Sequence, residues 1–297
     1  MRKFIKFVLV LGVILVLAGG AIVGYAAYKG KFKPIEYEQK TYTAVEDFEN
    51  IRLNLATSDV TFVKALDDKL TINYEEAKGF THNFRVDANK LSIDERDETP
   101  WYERIFRWDF KSPKMTISLP KVTYDELYVE IATGDLAIDN FNFTKVDIKD
   151  STGDVNFKNA TITDYLYISL STGDINLTKL DVTNEIKLNA STGHMRLEDV
   201  TTKAGAIKGS TGDIRFINTV FDGALTVKTS TGNIYFSKSD AYTIEASTST
   251  GDIKGDTLTG KTFITHTSTG SATVPSTTGE SCKLSTSTGD IYITISE

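Results

Sequence analysis

The sequence predicts an all-β protein: a β-solenoid of about nine rungs of 19–20 residues, preceded by an N-terminal β capping region and one N-terminal transmembrane helix. Three observations predict it. A Ser-Thr-Gly-Asp tetrad, or a close variant, recurs with its glycine at Gly134, Gly153, Gly173, Gly193, Gly212, Gly232, Gly251, Gly270 and Gly289. The residues flanking each tetrad alternate apolar and polar with a period of two. The chain opens on a long uncharged apolar run.

The tetrads come first because their spacing is 19 or 20 throughout. Each repeat reads as strand, Thr-Gly corner, strand, turn. Glycine at the corner suits a left-handed or crowded backbone. Leu127, Val129 and Ile131 precede Gly134, and Leu136 and Ile138 follow it. Such alternation sets these side chains on one face of a strand. A unit this short cannot bury that face alone, whereas stacked copies can. Parallel in-register stacking would align the threonines from Thr133 to Thr288 in a column, and rungs ~4.8 Å apart would span on the order of 43 Å. A degenerate copy stands at Ala56-Thr57-Ser58-Asp59, with Ser58 in the glycine slot. Near the C-terminus, Thr229, Thr248, Thr267 and Thr286 fill a slot held earlier by Ile131 and Leu170, so the coil is expected to narrow. The last strand, Ile291 to Glu297, is expected to leave an open edge that invites end-to-end self-association.

The apolar run, Phe7 to Tyr28, holds 22 residues without a charge. A bilayer core needs ~20. Arg2, Lys3 and Lys6 precede the run and Lys29, Lys31 and Lys33 follow it, so charge bias alone does not orient it. The short N-terminal tail and the lack of a second span favour a single pass with the solenoid extracytoplasmic, at the cell membrane. The rival is a cleaved signal peptide, with Phe7–Leu17 as its apolar core and small residues at Gly19 and Ala21 or Gly24 and Ala26. The expected division is 1–33 for the cytoplasmic tip and anchor, 34–121 for the β capping region, and 122–297 for the solenoid.

The net charge of −7 hides an asymmetry. Six of the 33 basic residues and none of the 40 acidic ones precede residue 34, which leaves 27 − 40 = −13 beyond it. That balance repels nucleic acid and argues against it as a partner. An anionic wall polymer would need a cation bridge or a local basic patch. Cys282 is the lone cysteine, so no intrachain disulfide forms.

Within 34–121, Asp97–Pro113 carries Trp101, Tyr102, Ile105, Phe106, Trp108 and Phe110, including both tryptophans of the chain. This stretch reads as a plug over the first rung. The sharper alternative is a recognition loop or a headgroup-level aromatic patch.

At this point a family resemblance enters. Met115-Thr-Ile-Ser-Leu-Pro120, Tyr124 and Leu127-Tyr-Val-Glu-Ile-Ala-Thr-Gly134-Asp resemble the hallmark of a bacterial family of membrane-anchored proteins of unknown function. That family carries the label adhesin, has β-strand repeats and includes LiaG-like proteins. The resemblance covers roughly residues 45–297. It implies an extracytoplasmic role, adhesive or envelope-protective, and supplies no catalytic residues.

The position after each glycine reads Asp135, Asp154, Asp174, His194, Asp213, Asn233, Asp252, Ser271 and Asp290. A calcium ladder would want carboxylates throughout. The mixture of Asp, Asn and Ser instead suits short acceptors that bond backbone N–H groups in turns, so no metal is assigned. The three histidines, His82, His194 and His266, are expected at the surface. No serine is marked as an activated nucleophile, and no glycine-rich phosphate loop opens a helix. Paired carboxylates for glycan cleavage arise trivially in stacked Asp rows and carry little weight.

The resulting expectation is a non-enzymatic envelope protein without a cofactor. Its partner is a cell-wall polymer or an envelope protein, with the membrane engaged through the helix. Candidate contacts are Ser151, Ser171, Ser191 and Ser210 at the corners and Trp101, Tyr102, Phe106 and Trp108 in the aromatic loop. The rival readings are an accessory regulator that signals through its anchor and, more remotely, a wall-glycan enzyme.

Overall fold

A computed structural model describes residues 2–29, 36–77, 79–99 and 112–296. A helix spans Arg2–Tyr28, and within it Phe4–Tyr25 is long and apolar enough to cross a membrane. Its side chains are exposed, as an anchor or a signal sequence requires. The rest is β-structure wound into a solenoid, in which neighbouring rungs pair in parallel.

Each full rung has three sides. In the rung of Gly173, Leu166, Ile168 and Leu170 line the interior before the corner, and Ile175 and Leu177 line it after. Leu180 and Val182 then close the third side. Every second side chain is therefore core, as alternation demands. Large and small residues interlock between rungs: Gly205 leaves room for the Phe221 ring, which packs edge-on against Phe216 at 5.9 Å between centroids.

The Thr-Gly corners stack in one column. Thr133, Thr152, Thr172, Thr192, Thr211, Thr231 and Thr250 are direct register partners in succession. Ser58 stands at the head of the glycine column, beneath Gly134. At each corner φ lies between +133° and +155°, and a Cβ there would overlap the carbonyl oxygen of the corner residue one rung below. Only glycine satisfies both demands.

The residue after each glycine links the rungs. Asp154 N–H donates to Asp135 Oδ1 (2.8 Å), Asp174 N–H to Asp154 Oδ1 (2.7 Å), and Asn233 N–H to Asp213 Oδ1 (2.9 Å). His194 fits the same ladder: Asp213 N–H donates to its Nδ1 at 3.0 Å. Nδ1 is thus the acceptor, and a neutral ring carries its proton on Nε2. A second left-handed corner follows six residues after the glycine, at Asn140, Asn159, Lys179, Asp199, Asn218 and Lys238, with φ between 47° and 63°.

The axial order departs from chain order at both ends. Asn50–Thr57 and Asp59–Lys64 form a rung beneath that of Gly134. The chain then runs outward to build the first rung from Lys90–Asp97 and Lys114–Leu119, and returns to lay down Thr123–Thr133 on the inner side. Antiparallel strands close this end: Phe80–Asp87 pairs Lys90–Asp97, and Leu70–Ala77 pairs both Lys114–Leu119 and Tyr37–Ala44. The coil thus takes in part of the 34–121 segment.

At the other end, Ile253–Thr257 pairs with Ile291–Ile295 rather than with the next strand in sequence. Thr262–Thr269 and Ala272–Thr273 form the outermost rung, and Ser281–Thr288 and Ile291–Ile295 slot in beneath it. The expectation of an open edge on the last strand is corrected in part: Ala272–Thr273 covers Ile291 and Tyr292, the outermost edge belongs to Thr262–Thr273, and among the described residues no strand lies outside Ile293–Ile295. Lys261 sits where the chain leaves for that rung. Its Nζ lies 2.8 Å from Asp240 Oδ1, with side-chain exposures of 5% and 8%, and donates to Ala241 O (2.7 Å).

In the later rungs a threonine fills the interior slot before the corner; Thr229 Oγ1 is buried without a hydrogen-bond partner, and the other three hydroxyls bond corner carbonyls. Thr248 Oγ1 donates to Gly232 O (2.9 Å), Thr286 Oγ1 to Gly251 O (2.9 Å), and Thr267 Oγ1 to Gly289 O (3.1 Å). A hydroxyl that bonds the corner carbonyl replaces the methyl groups that Ile131 and Leu170 bury in earlier rungs.

Two predictions follow from this geometry. Gly193→Ala should lower stability by about 3 kcal/mol or more in thermal unfolding, while Ser191→Ala two residues earlier should stay within about 0.5 kcal/mol. Asp240→Ala should cost about 3–5 kcal/mol by stranding Lys261, and hydrogen exchange should show the loss first in 262–273. Replacing both partners with apolar residues of similar volume should recover most of that loss.

Candidate functional site

The outward side chains of the strands before each glycine form a shallow lateral groove. Val155–Thr172 presents Tyr165 and Tyr167, whose rings stack at 4.3 Å between centroids. Cations flank the rings: Lys145 Nζ is 5.8 Å from the Tyr165 centroid and Lys187 Nζ 5.7 Å from that of Tyr167. Two rungs away, with Asp147 between, Arg52 and Lys149 lie 5.0 and 5.2 Å from the Tyr128 ring. These are cation–π distances. Tyr128 donates to Glu130 Oε2 (2.8 Å) and Tyr167 to Glu185 Oε2 (3.0 Å), and these bonds to carboxylates raise both phenol pKa values.

Two hollows lie along this groove. One, of about 180 Å³, is lined by Asp147, Lys149, Tyr167, Ser169, Lys187 and Asn189. The other, of about 290 Å³, reaches the corner column and is lined by Asn54, Glu130, Lys149, Asp150, Ser151, Ser169 and Ser171. Lys149 and Ser169 belong to both, so the hollows join. Ser151 and Ser171, expected as contacts from the sequence, thus line the groove. Ser191 and Ser210 are exposed on the same corner column but line neither hollow. Trp101, Tyr102, Phe106 and Trp108 lie outside the described residues.

Asp150 is the feature the sequence reading passed over. It occupies the interior slot between Ile131 and Leu170 and is 5% exposed. Its Oδ1 accepts from Thr152 N–H (2.9 Å), while Oδ2 has no hydrogen-bond partner. Burial pushes its carboxyl up to about 6, with further upward pressure from Asp135 and Asp154. An acid at a position otherwise apolar in neighbouring repeats was the available signal.

A second buried cluster lies in the capping region. Ser58 Oγ donates to Glu95 Oε2 (3.0 Å), and Glu95 Oε1 faces His82 Nε2 at 4.0 Å. The expectation that His82 is a surface residue is corrected: its side chain is 1% exposed, because Phe80–Asp87 lays it opposite Glu95. Burial lifts Glu95 to about 7 and pulls His82 down to about 4. The carboxylate stands between serine and imidazole, so the imidazole cannot take the serine proton. Among the described residues no group of three His, Cys, Asp or Glu is placed to hold a metal ion. Cys282 is buried, and burial raises its thiol to about 12.

Fold and groove together define a repeat protein of the β-solenoid class, with an apolar helix at one end and a lateral aromatic–cationic groove. The chain belongs to the Toastrack DUF4097 family, whose model matches residues 48–294. A "putative adhesin" from Parabacteroides distasonis is similar over 86% of this chain and 97% of its own, at 14% identity and a TM-score of 0.50. A "putative adhesin" from Bacteroides fragilis covers the same shares at 16% identity and a TM-score of 0.45. At such identities the likeness is one of fold. No curated protein matches the chain.

Asp150 yields a pH prediction. Its carboxyl titrates higher in the fold than in the unfolded chain, so the folded state keeps a proton that the unfolded state releases between about pH 4 and pH 6. Its contribution therefore falls as pH rises through that window and is flat above it. Asp150→Thr, copying the later rungs, should raise stability at pH 7 by about 2 kcal/mol and leave it little changed at pH 4. Unfolding curves at the two pH values check this.

Proposed function

We propose that the chain is a non-enzymatic cell-envelope protein that displays its solenoid outside the membrane and binds a wall polymer or an envelope protein along the lateral groove. In this reading residues 1–33 are the cytoplasmic tip and single-pass anchor, and the antiparallel strands of 34–121 cap the coil. One observation carries the reading. Tyr128, Tyr165 and Tyr167 lie among Arg52, Lys145, Lys149 and Lys187, on a chain that is otherwise strongly acidic. Glu130, Asp147 and Glu185 stand among them, so the row is mixed in charge, and its four cations are the groups an anionic polymer can pair with. Ring faces suit sugar rings, and the amines suit the acidic groups of a polymer. The contacts are individually weak and repeat from rung to rung, so affinity comes from several engaged at once. The designation of similar structures as adhesins supports the same class of role.

Purified anionic wall polymer should bind the full chain reconstituted in nanodiscs, and binding should weaken as salt rises. Lys149→Glu with Lys187→Glu should weaken it about tenfold or more, a change of at least ~1.4 kcal/mol. Lys238→Glu, at the second left-handed corner and lining neither hollow, should leave it unchanged. Equal binding by the groove variant and the parent chain would sink the assignment.

A further inference from the structure

We propose that two copies of this chain join tail to tail, through antiparallel pairing of their Thr262–Thr269 strands. The two ends of the coil differ in what they offer. The N-terminal end finishes in the antiparallel strands Tyr37–Ala44 and Phe80–Asp87, edge strands that carry Glu38, Lys40, Arg85 and Asp87. At the other end, Thr262–Thr269 pairs only with Ser281–Thr288, and Ala272–Thr273 only with Ile291–Ile295, among the described residues. Natural sheets usually protect such an edge with lysine, proline or a covering segment. Here no Asp, Glu, Lys, Arg or Pro occurs from Thr262 to Thr273.

The edge is also held in place. A terminal strand that merely ended the chain would fray. This one is tied on both sides, because the chain leaves through the buried Lys261–Asp240 pair and returns to build the rung beneath. Thr277 Oγ1 donates to Lys261 O (2.8 Å) and fastens the return. A preordered strand loses little entropy on pairing.

The occupant follows from charge and symmetry. Thr262 N–H bonds Glu280 O (2.9 Å), so even-numbered residues face the rung beneath. Phe263, Thr265 and Thr267 accordingly turn their backbone groups to the free edge. A two-fold axis at Thr265 sets Phe263 opposite Thr267 of the second copy and Thr265 opposite itself. The inward set then maps onto the inward set, and the two cores become continuous. Ile264, 55% exposed, meets His266 of the second copy on the outer face. No like charges oppose one another. The charged edge strands of the N-terminal end do not match the uncharged Thr262–Thr269 edge, so head-to-tail stacking is disfavoured and the assembly stops at two. Because the chain enters at the N-terminal end, the pair holds its two apolar helices at opposite ends.

The test uses the full chain in detergent micelles. Light scattering coupled to size exclusion should give twice the chain mass, and Thr265→Cys should crosslink to itself on mild oxidation while Ser191→Cys does not. Buried Cys282 contributes no background. Ile264→Lys should raise the dissociation constant about tenfold or more with an unchanged melting temperature. Thr265→Pro, which removes only an edge N–H, should do the same. A monomeric parent chain, a dimer indifferent to both variants, or the absence of the Thr265 crosslink would each overturn the proposal.

Discussion

The close approach of successive corner backbones governs this fold. Each corner glycine carbonyl occupies the space where the next rung would carry a Cβ. That contact fixes the register of every strand leading into and out of the corner, since a strand slipped by one residue would drive a threonine side chain into the column. With the corners aligned, the rest follows. The residue after glycine always finds the acceptor of the rung below, and the interior slots stack in kind. A parallel coil has no hairpin turns to set its register, so the corner does that work.

A column of this kind says nothing about where to stop, and the two ends solve the problem in opposite ways. At the start, antiparallel strands run across the outermost rung and satisfy its backbone. At the far end, the chain builds the outermost rung first and returns to fill the gap beneath. The buried Lys261–Asp240 pair sits at that departure. A buried ion pair adds little net stability over an apolar substitute. Its value here is geometric: both charges are satisfied where the chain leaves for the outermost rung, with residue 261 held beside residue 240.

What the sequence disclosed follows the same physics. The tetrads were legible because one residue type alone fits the corner, and Ser58 betrayed its rung by keeping its Thr and Asp neighbours. The second corner was not legible: Asn140, Lys179 and Asp199 adopt left-handed backbone in places where their residue types carry no such obligation. The exchanged order of the Gly270 and Gly289 rungs was hidden because a spacing of 19 is the same whichever rung lies outside. The groove was half visible. Ser151 and Ser171 were found through the tetrads. Tyr128, Tyr165 and Lys149 lie at outward positions, where alternation reports only that a side chain is not core.

The groove is built on strand backbone at fixed spacing. The carboxylates that are properly desolvated, Asp150 and Glu95, are held by the corner and the cap, where their backbone partners spend them on structure. What remains on the outside is a row of rings and amines that neighbouring carboxylates keep oriented. Such a surface gains by length rather than depth. In the proposed reading an extended ligand would engage the groups from Arg52 to Lys187 together without any one site being strong.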